Sequence, residues 1–174
     1  MNLKYWHIAG AIFTLVIGTL LHFTYEWSNE NTLVGIFSAV NESTWEHLKL
    51  LFTPVLLFAA VEYCSYGKYI PNFVPVKALS ILLGMSTIVI SFYTYTGIIG
   101  QNFLWADIST FILGVLAAYW FSIKYLRTGA FTSECAIRLG WLGLLLLFLC
   151  FAFFTFIPPR IELFLDPVSG TYGI

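Results

Sequence analysis

The chain has 174 residues, of which 59% are apolar, 19% aromatic and only 10% charged, and its mean hydropathy is +0.85. This composition excludes a soluble globular domain, which carries about 25% charged residues, and a disordered chain, which needs low hydrophobicity and a high net charge. The net charge is −1, from 8 Lys and Arg against 9 Asp and Glu, so the expected partner is the lipid bilayer and no nucleic acid.

Five apolar segments are long enough to cross a membrane as helices, for which about 20 residues are needed. The predicted spans are residues 6–25, 44–64, 78–98, 103–124 and 137–157. They leave no room for a separate soluble domain. We therefore expect one membrane domain over residues 1–174, an all-α polytopic bundle of five transmembrane helices.

Lysine and arginine in the predicted loops indicate the orientation, because short cytoplasmic loops carry an excess of them. One side of the membrane receives Lys4, Lys68, Lys77, Lys124, Arg127 and Arg138. The other side receives only Lys49 and Arg160. The sequence therefore predicts a multi-pass protein of the cytoplasmic membrane, with its N-terminus inside, its C-terminus outside, and a tail, residues 158–174, on the outer face.

The first span carries small and polar residues at every fourth position: Gly10, Thr14, Gly18, His22 and Glu26. Rows of small residues let membrane helices approach closely, so we expect His22 and Glu26 to point between helices. They are one turn apart, and their side chains can converge on one partner. In the fourth span Asp107 begins a similar row, and it is also expected to face inward.

The second span begins in a polar segment, Asn41–Lys49. The segment fits a capping box, in which case Glu42 and Glu46 would serve only to favour the helix N-terminus. Glu46 could also pair with Lys49 at the rim. Because the Lys49 ammonium lies one to two turns inside the helix, it needs an acidic partner, and Asp107 is a further candidate.

Two histidines and several carboxylates are thus expected at one depth on the outer side. Imidazole with carboxylate is a ligand set for zinc or another divalent ion. The expected metal ligands are His22, Glu26 and His47, with a divalent metal such as zinc as the cofactor. Glu46 and Asp107 are the expected catalytic residues, because a metal-activated water needs a general base for hydrolysis.

The tail after the last span contains apolar side chains and a turn at Asp166-Pro167. We expect it to fold back over the outer face as a lid, with Asp166 and Tyr172 contacting the outer ends of the first and second spans. Together with Glu42 and Lys49, these two residues would form the ligand and lid side of the site. The alternative is a tail that lies on lipid headgroups.

Two segments, Asn41–Lys49 (NESTWEHLK) and Asp166–Ile174 (DPVSGTYGI), resemble the signature segments of an uncharacterised family of small bacterial multi-helix membrane proteins. The resemblance covers the whole chain in length and in number of spans. It implies a bacterial inner-membrane protein without implying a reaction, and it suggests that the two segments form one functional surface.

Three functions are consistent with these patterns, and the sequence leaves open whether the protein is an enzyme. The first is a metal-assisted hydrolase that acts on a lipid-like substrate. The second is a small proton- or cation-linked transporter, against which stands the lack of titrating residues in the cytoplasmic half apart from Glu62. The third is a non-catalytic membrane subunit whose outer polar face docks a partner.

Overall fold

The computed structural model describes residues 2–174, which form six α-helices joined by short loops. The helices are α1 (Leu3–Trp27), α2 (Thr32–Gly35), α3 (Thr44–Ser65), α4 (Phe73–Ile99), α5 (Leu104–Tyr125) and α6 (Glu134–Phe156). All except α2 are long and apolar enough to cross a membrane. By helix length and composition the chain is a multi-pass membrane protein, which confirms the predicted all-helical class with five candidate spans.

The five long helices alternate in direction, so the loops gather at two ends of the bundle. The end that carries His22, here called the His22 end, collects residues 28–43, residues 100–103 and the tail. The opposite end, called the His7 end, collects the loops between α3 and α4 and between α5 and α6. The two segments singled out in the sequence therefore lie at the same end.

The start of α3 follows the predicted capping pattern. Ser43 is the N-cap residue, and its hydroxyl accepts a hydrogen bond from the Glu46 amide at 3.3 Å. Every residue from Leu48 to Val55 is buried. A helix that is buried on all faces must be surrounded by other elements. The polar side chains of this part of α3 therefore lie in the protein interior.

The helix that contains the third predicted span is longer than that span, because α4 begins at Phe73, five residues before residue 78. Asn72, the residue before α4, ties the start of this helix to the end of α5 and the loop that follows: its side-chain amide donates to the carbonyl oxygens of Tyr125 and Ala130 at 2.8 and 3.0 Å. Lys77 consequently lies within the helix and is only 2% exposed. It is not a loop cation, as the charge count assumed.

Small residues bring the helices into close contact. A Cβ atom added at Gly114 of α5 would lie 2.8 Å from the carbonyl oxygen of Gly84 in α4. A Cβ atom at Gly18 of α1 would clash with the carbonyl oxygen of Leu50 in α3. Pro54 has no N–H to donate to that Leu50 oxygen, so α1 packs where the α3 hydrogen-bond ladder is interrupted.

The small-residue row of α1 is buried at Gly10, Thr14 and Gly18, as predicted, but Glu26 is exposed and Tyr25 is buried in its place. Each step of four residues turns a helix about 40° past a full turn. Two such steps carry Glu26 off the face that Gly18 occupies. Tyr25, seven residues beyond Gly18, returns to within about 20° of it.

Candidate functional site

Three side chains from separate parts of the chain converge at the His22 end. His22 comes from α1, Glu42 from the loop that enters α3, and His47 from the first turns of α3. The Glu42 carboxylate reaches both rings, with Oε1 4.0 Å from His22 Nε2 and Oε2 3.4 Å from His47 Nε2. One ligand atom from each residue lies within 4.8 Å of the others, and we call these three residues the His–Glu–His group.

The His–Glu–His group fits a divalent metal ion. In a tetrahedral zinc site with bonds of about 2.1 Å, neighbouring ligand atoms stand about 3.4 Å apart. The His47–Glu42 separation already has this value, and the other separations among the three ligand atoms are at most 4.8 Å. The carbonyl oxygen of Ser43 lies 2.9 Å from His47 Nδ1, so a proton on Nδ1 leaves the Nε2 lone pair free to face Glu42, an arrangement common in metal sites.

A cavity of about 180 Å³ adjoins this group, between α3, α4, α5 and the tail. Its polar wall is formed by Glu42, Thr44, His47, Asn102, Asp107 and Thr110. Its apolar wall is formed by Leu50, Ile88, Phe92, Phe111, Pro167 and Val168. The cavity therefore joins carboxylate and imidazole groups to an apolar region within the bundle.

Asp107 is the second carboxylate of the cavity. It lies in the first turn of α5, where it accepts hydrogen bonds from the Tyr95 hydroxyl and, at 3.2 Å, from the Asn102 side-chain amide. The rest of its predicted row, from Thr110 through Gly114, is buried against other helices. Asp107 thus faces the cavity at the end of a packing face, where a carboxylate can accept a proton from a bound molecule.

Glu46 and Lys49 do not line the cavity. They form an ion pair with 2.5 Å between Oε2 and Nζ, and their side chains are 2% and 0% exposed. The Lys49 ammonium also donates to the carbonyl oxygens of Gly35 and Ser38, at 2.8 and 3.3 Å, and to the Thr155 hydroxyl. The pair thereby ties α3 to α6 and to the loop that leads to Glu42.

The tail folds back onto the same end. Ile174 donates its amide to the Thr155 carbonyl at 3.0 Å, and Asn41 donates its side-chain amide to the Gly173 carbonyl at 3.0 Å. The Phe164 ring packs against Trp45 with 4.8 Å between centroids. Pro167 and Val168 consequently cover one side of the cavity.

Asp166 closes the turn of the tail. Burial by itself raises the pKa of this carboxyl, but hydrogen bonds from the Ser169 hydroxyl and from the Val168 and Ser169 amides outweigh burial. The backbone N–H of Glu42, beside this carboxylate, lowers its pKa as well. The pKa of Asp166 therefore lies below its ordinary value, and the ionised carboxylate lies beside the segment that carries Glu42.

The two segments that the sequence suggested as one surface are thus in contact through Asn41, Glu42, Asp166 and Gly173. The whole chain, residues 1–174, matches the family described as Family of unknown function (DUF6512). The chain belongs to this family. The match confirms the resemblance to an uncharacterised family of membrane proteins. No curated protein and no solved structure matches the chain.

Within this DUF6512 chain the predicted site residues separate into two sets. His22, His47, Asp107 and Glu42 lie on or beside the cavity. Glu26 lies outside it, since α1 turns its side chain to the exposed face. The carboxylate between the two imidazoles is that of Glu42. Glu42 lies in a loop, and helical periodicity does not predict where a loop residue lies.

Four further predicted residues have other surroundings. Glu46 and Lys49 are each other's ion-pair partners, as one of the open interpretations had it, but they pair in the interior and not at the rim. Tyr172 forms an antiparallel bridge with Leu165 inside the tail. Asp166 lies beside the Glu42 backbone, in the segment before α3, and its role in a lid stays a prediction.

A second buried ion pair, at the His7 end, was missed in the sequence. Glu62 of α3 and Lys77 of α4 lie 2.5 Å apart with side chains almost fully buried, and the Tyr66 hydroxyl donates to the same carboxylate. Burial and the neighbouring Glu62 raise the pKa of the Tyr66 phenol, which keeps it a neutral donor. The sequence feature that could have predicted this ion pair is the opposite charge of Glu62 and Lys77, which lie at the same end of consecutive spans.

Proposed function

We propose that this protein binds a divalent cation, zinc in the first instance, with the His–Glu–His group, and uses it to hydrolyse a lipid-like substrate. We further propose that the His22 end faces the outer side of the cytoplasmic membrane. The observation that carries the proposal is the convergence of three ligand atoms within 4.8 Å beside a cavity. His22, Glu42 and His47 supply the ligands, and Asp107 supplies a second carboxylate.

The reaction divides between these residues. A divalent ion held by His22, Glu42 and His47 would lower the pKa of a water to about 7 and so supply a nucleophile at neutral pH. Asp107 would accept a proton from the attacking water while the water oxygen adds to the carbonyl carbon of the substrate. The bond from that carbon to the leaving oxygen or nitrogen then breaks, and Asp107 returns the proton to the leaving atom. The only co-reactant is water.

The apolar wall of the cavity supports a lipid-like substrate. Leu50, Ile88 and Phe111 line it below the polar groups, and they belong to helices long enough to span the bilayer. A molecule with a polar head and an apolar chain can place its head at Asp107 and its chain along this wall. Binding sites of this composition, mostly apolar with a few polar groups, are typical of small-molecule sites.

Transport is less well supported by the arrangement of the core. The cavity at the His22 end and the Glu62–Lys77 pair at the His7 end are separated along the helices by Leu51, Ile81 and Val115, each 0% exposed. A conduction path needs polar lining through both halves. The packed apolar layer instead favours a site that is confined to one end.

Elemental analysis of the detergent-purified protein after zinc loading and dialysis tests the proposal. We expect one zinc per chain in the wild type, and a loss of zinc in Glu42→Gln and His47→Asn. Glu26→Gln is the matched control, because Glu26 is an exposed acid on the same helix as His22, and it should bind zinc as the wild type does. A wild-type protein that holds no zinc after loading contradicts the proposal.

A further inference from the structure

We infer that the cavity selects an amphiphile with an amine head over amphiphiles with a phosphate or hydroxyl head. The inference deepens the proposed function by naming its substrate class, but the binding preference itself does not require a metal. It rests on the charge and shape of the cavity and of the groove that continues from it.

The charged groups around the cavity are predominantly acidic. Glu42 and Asp107 line it, and the adjoining groove of about 410 Å³ adds Glu162. Among residues 2–174 no lysine or arginine lines either space. Carboxylates in a cleft with apolar walls create a field that attracts cations and repels anions.

Two basic residues of α3 near the cavity are already engaged, and Arg160 of the tail lines neither the cavity nor the groove. Lys49 is buried in its pair with Glu46, and its remaining protons go to carbonyl and hydroxyl oxygens of the protein. His47 is the basic group that lines the cavity, and its Nε2 faces Glu42 at 3.4 Å. A metal ion on the His–Glu–His group would offset Glu42 and leave Asp107 and Glu162 uncompensated.

An ammonium head matches the acceptors that remain. Asp107 and Glu162 accept hydrogen bonds as carboxylates, the Asn102 side chain offers a carbonyl oxygen, and an ammonium has three protons to donate. A phosphate has no proton donors to offer these acceptors and would place its charge beside theirs. A hydroxyl head can donate but gains no Coulomb energy from the carboxylates.

The size of the cavity indicates that the ligand is only partly enclosed. Its volume of about 180 Å³ is below the ~300–1,000 Å³ of sites that enclose drug-sized ligands. The groove, which shares Glu42, Thr44, Phe92, Asn102 and Pro167 with the cavity, provides the continuation. The head therefore lies among the carboxylates while part of the molecule stays in the groove or the bilayer.

Three probes with twelve-carbon chains test the inference on metal-free protein: dodecylamine, monolauroylglycerol and dodecyl phosphate. Dissociation constants are measured by native mass spectrometry in a non-ionic detergent. We expect dodecylamine to bind at least about tenfold more tightly than dodecyl phosphate, which corresponds to about 1.4 kcal/mol, and more tightly than monolauroylglycerol. Equal or tighter binding of either of the other two probes overturns the inference.

Variants assign the preference to the cavity. The double variant Asp107→Asn with Glu162→Gln should lose most of the preference for the amine while it still binds monolauroylglycerol, which shows that the cavity is intact. Glu134→Gln removes an exposed acid at the opposite end and should change nothing. A double variant that keeps the full preference contradicts the inference. Zinc loading is measured separately, so a protein that selects amines but binds no zinc would refute only the proposed hydrolysis.

Discussion

The buried ammonium of Lys49 needs an ion-pair partner in the folded protein. Its ammonium is fully buried and donates to Glu46, to two backbone carbonyls and to the Thr155 hydroxyl. Removing one partner of a buried ion pair strands the other charge, whereas replacing both by apolar residues of similar volume is often neutral. Loss of the Lys49 ammonium should also affect the candidate metal site, because Gly35 and Ser38 belong to the segment that leads to Glu42.

We expect Lys49→Met to lower the stability of the protein by about 3–5 kcal/mol, seen as a lower thermal midpoint in detergent. The double variant Lys49→Met with Glu46→Leu should recover most of the loss. Lys68→Met, which removes an exposed lysine, is the control and should leave the midpoint unchanged. A Lys49→Met protein as stable as the wild type would show that the ammonium is dispensable.

Asp166 gives the tail a dependence on pH. Because its pKa is lowered in the folded protein, the folded state binds fewer protons than the unfolded state near that pKa. Its contribution to stability is full above the unfolded pKa of about 3.9 and is lost as the pH falls through the folded value. We expect the midpoint difference between wild type and Asp166→Asn to be largest above about pH 5 and to shrink below about pH 4. A difference that stays constant from neutral to acid pH contradicts this assignment.

At the scale of elements, the tail is held to the bundle by its own backbone. Gly173 adopts a φ of +68°, in the left-handed region, and a Cβ atom there would lie 2.7 Å from the Thr155 carbonyl oxygen. An L side chain costs about 1–2 kcal/mol in this conformation before any clash is counted. The close approach allows the adjacent Ile174 amide to bond the same oxygen.

Gly173→Ala should therefore loosen the tail without unfolding the helices. We expect carboxypeptidase to remove the last residues of the variant faster than those of the wild type, with unchanged helix content by circular dichroism. Gly97→Ala is the control, because a Cβ atom at Gly97 meets nothing within 4 Å. Equal digestion rates for Gly173→Ala and wild type would show that the tail is not held at this point.

At the scale of the whole molecule, the orientation in the membrane remains a prediction. With Lys49 and Lys77 buried in ion pairs, the remaining basic residues are divided unequally between the ends. The His7 end has Lys4, Lys68, Lys124, Arg127 and Arg138, and the His22 end has Arg160. The excess of basic residues at the His7 end therefore remains when Lys49 and Lys77 are left out of the count. This excess predicts that the His7 end lies in the cytoplasm.

Reporter fusions test this orientation. A reporter that is active only outside the cytoplasm should be active when fused after Ile174 and silent when fused after Gly67. The reverse pattern would place the His–Glu–His group on the cytoplasmic side. It would also remove the basis for an outer-face reaction, while the geometry of the site would be unaffected.

The sequence by itself determined the five helices, since the thickness of the bilayer sets the length of each apolar run. It also determined the start of α3 at the Ser43 cap and the packing face of α1 as far as Gly18, because both depend on residues within about two turns of each other. Contact between the tail and the start of the second span was predicted from the apolar side chains and the turn of the tail, and the family resemblance suggested it as well.

Only the tertiary structure decided which charges meet. Periodicity describes a face of one helix, but not how that helix is rotated against its neighbours or where a loop passes. Glu42 therefore lies between the two histidines, where Glu26 was predicted. Glu46 pairs with Lys49 and does not line the cavity. The Glu62–Lys77 pair has the same cause. A buried ammonium needs a carboxylate partner, and the packing of α3 against α4 determines which carboxylate is within reach.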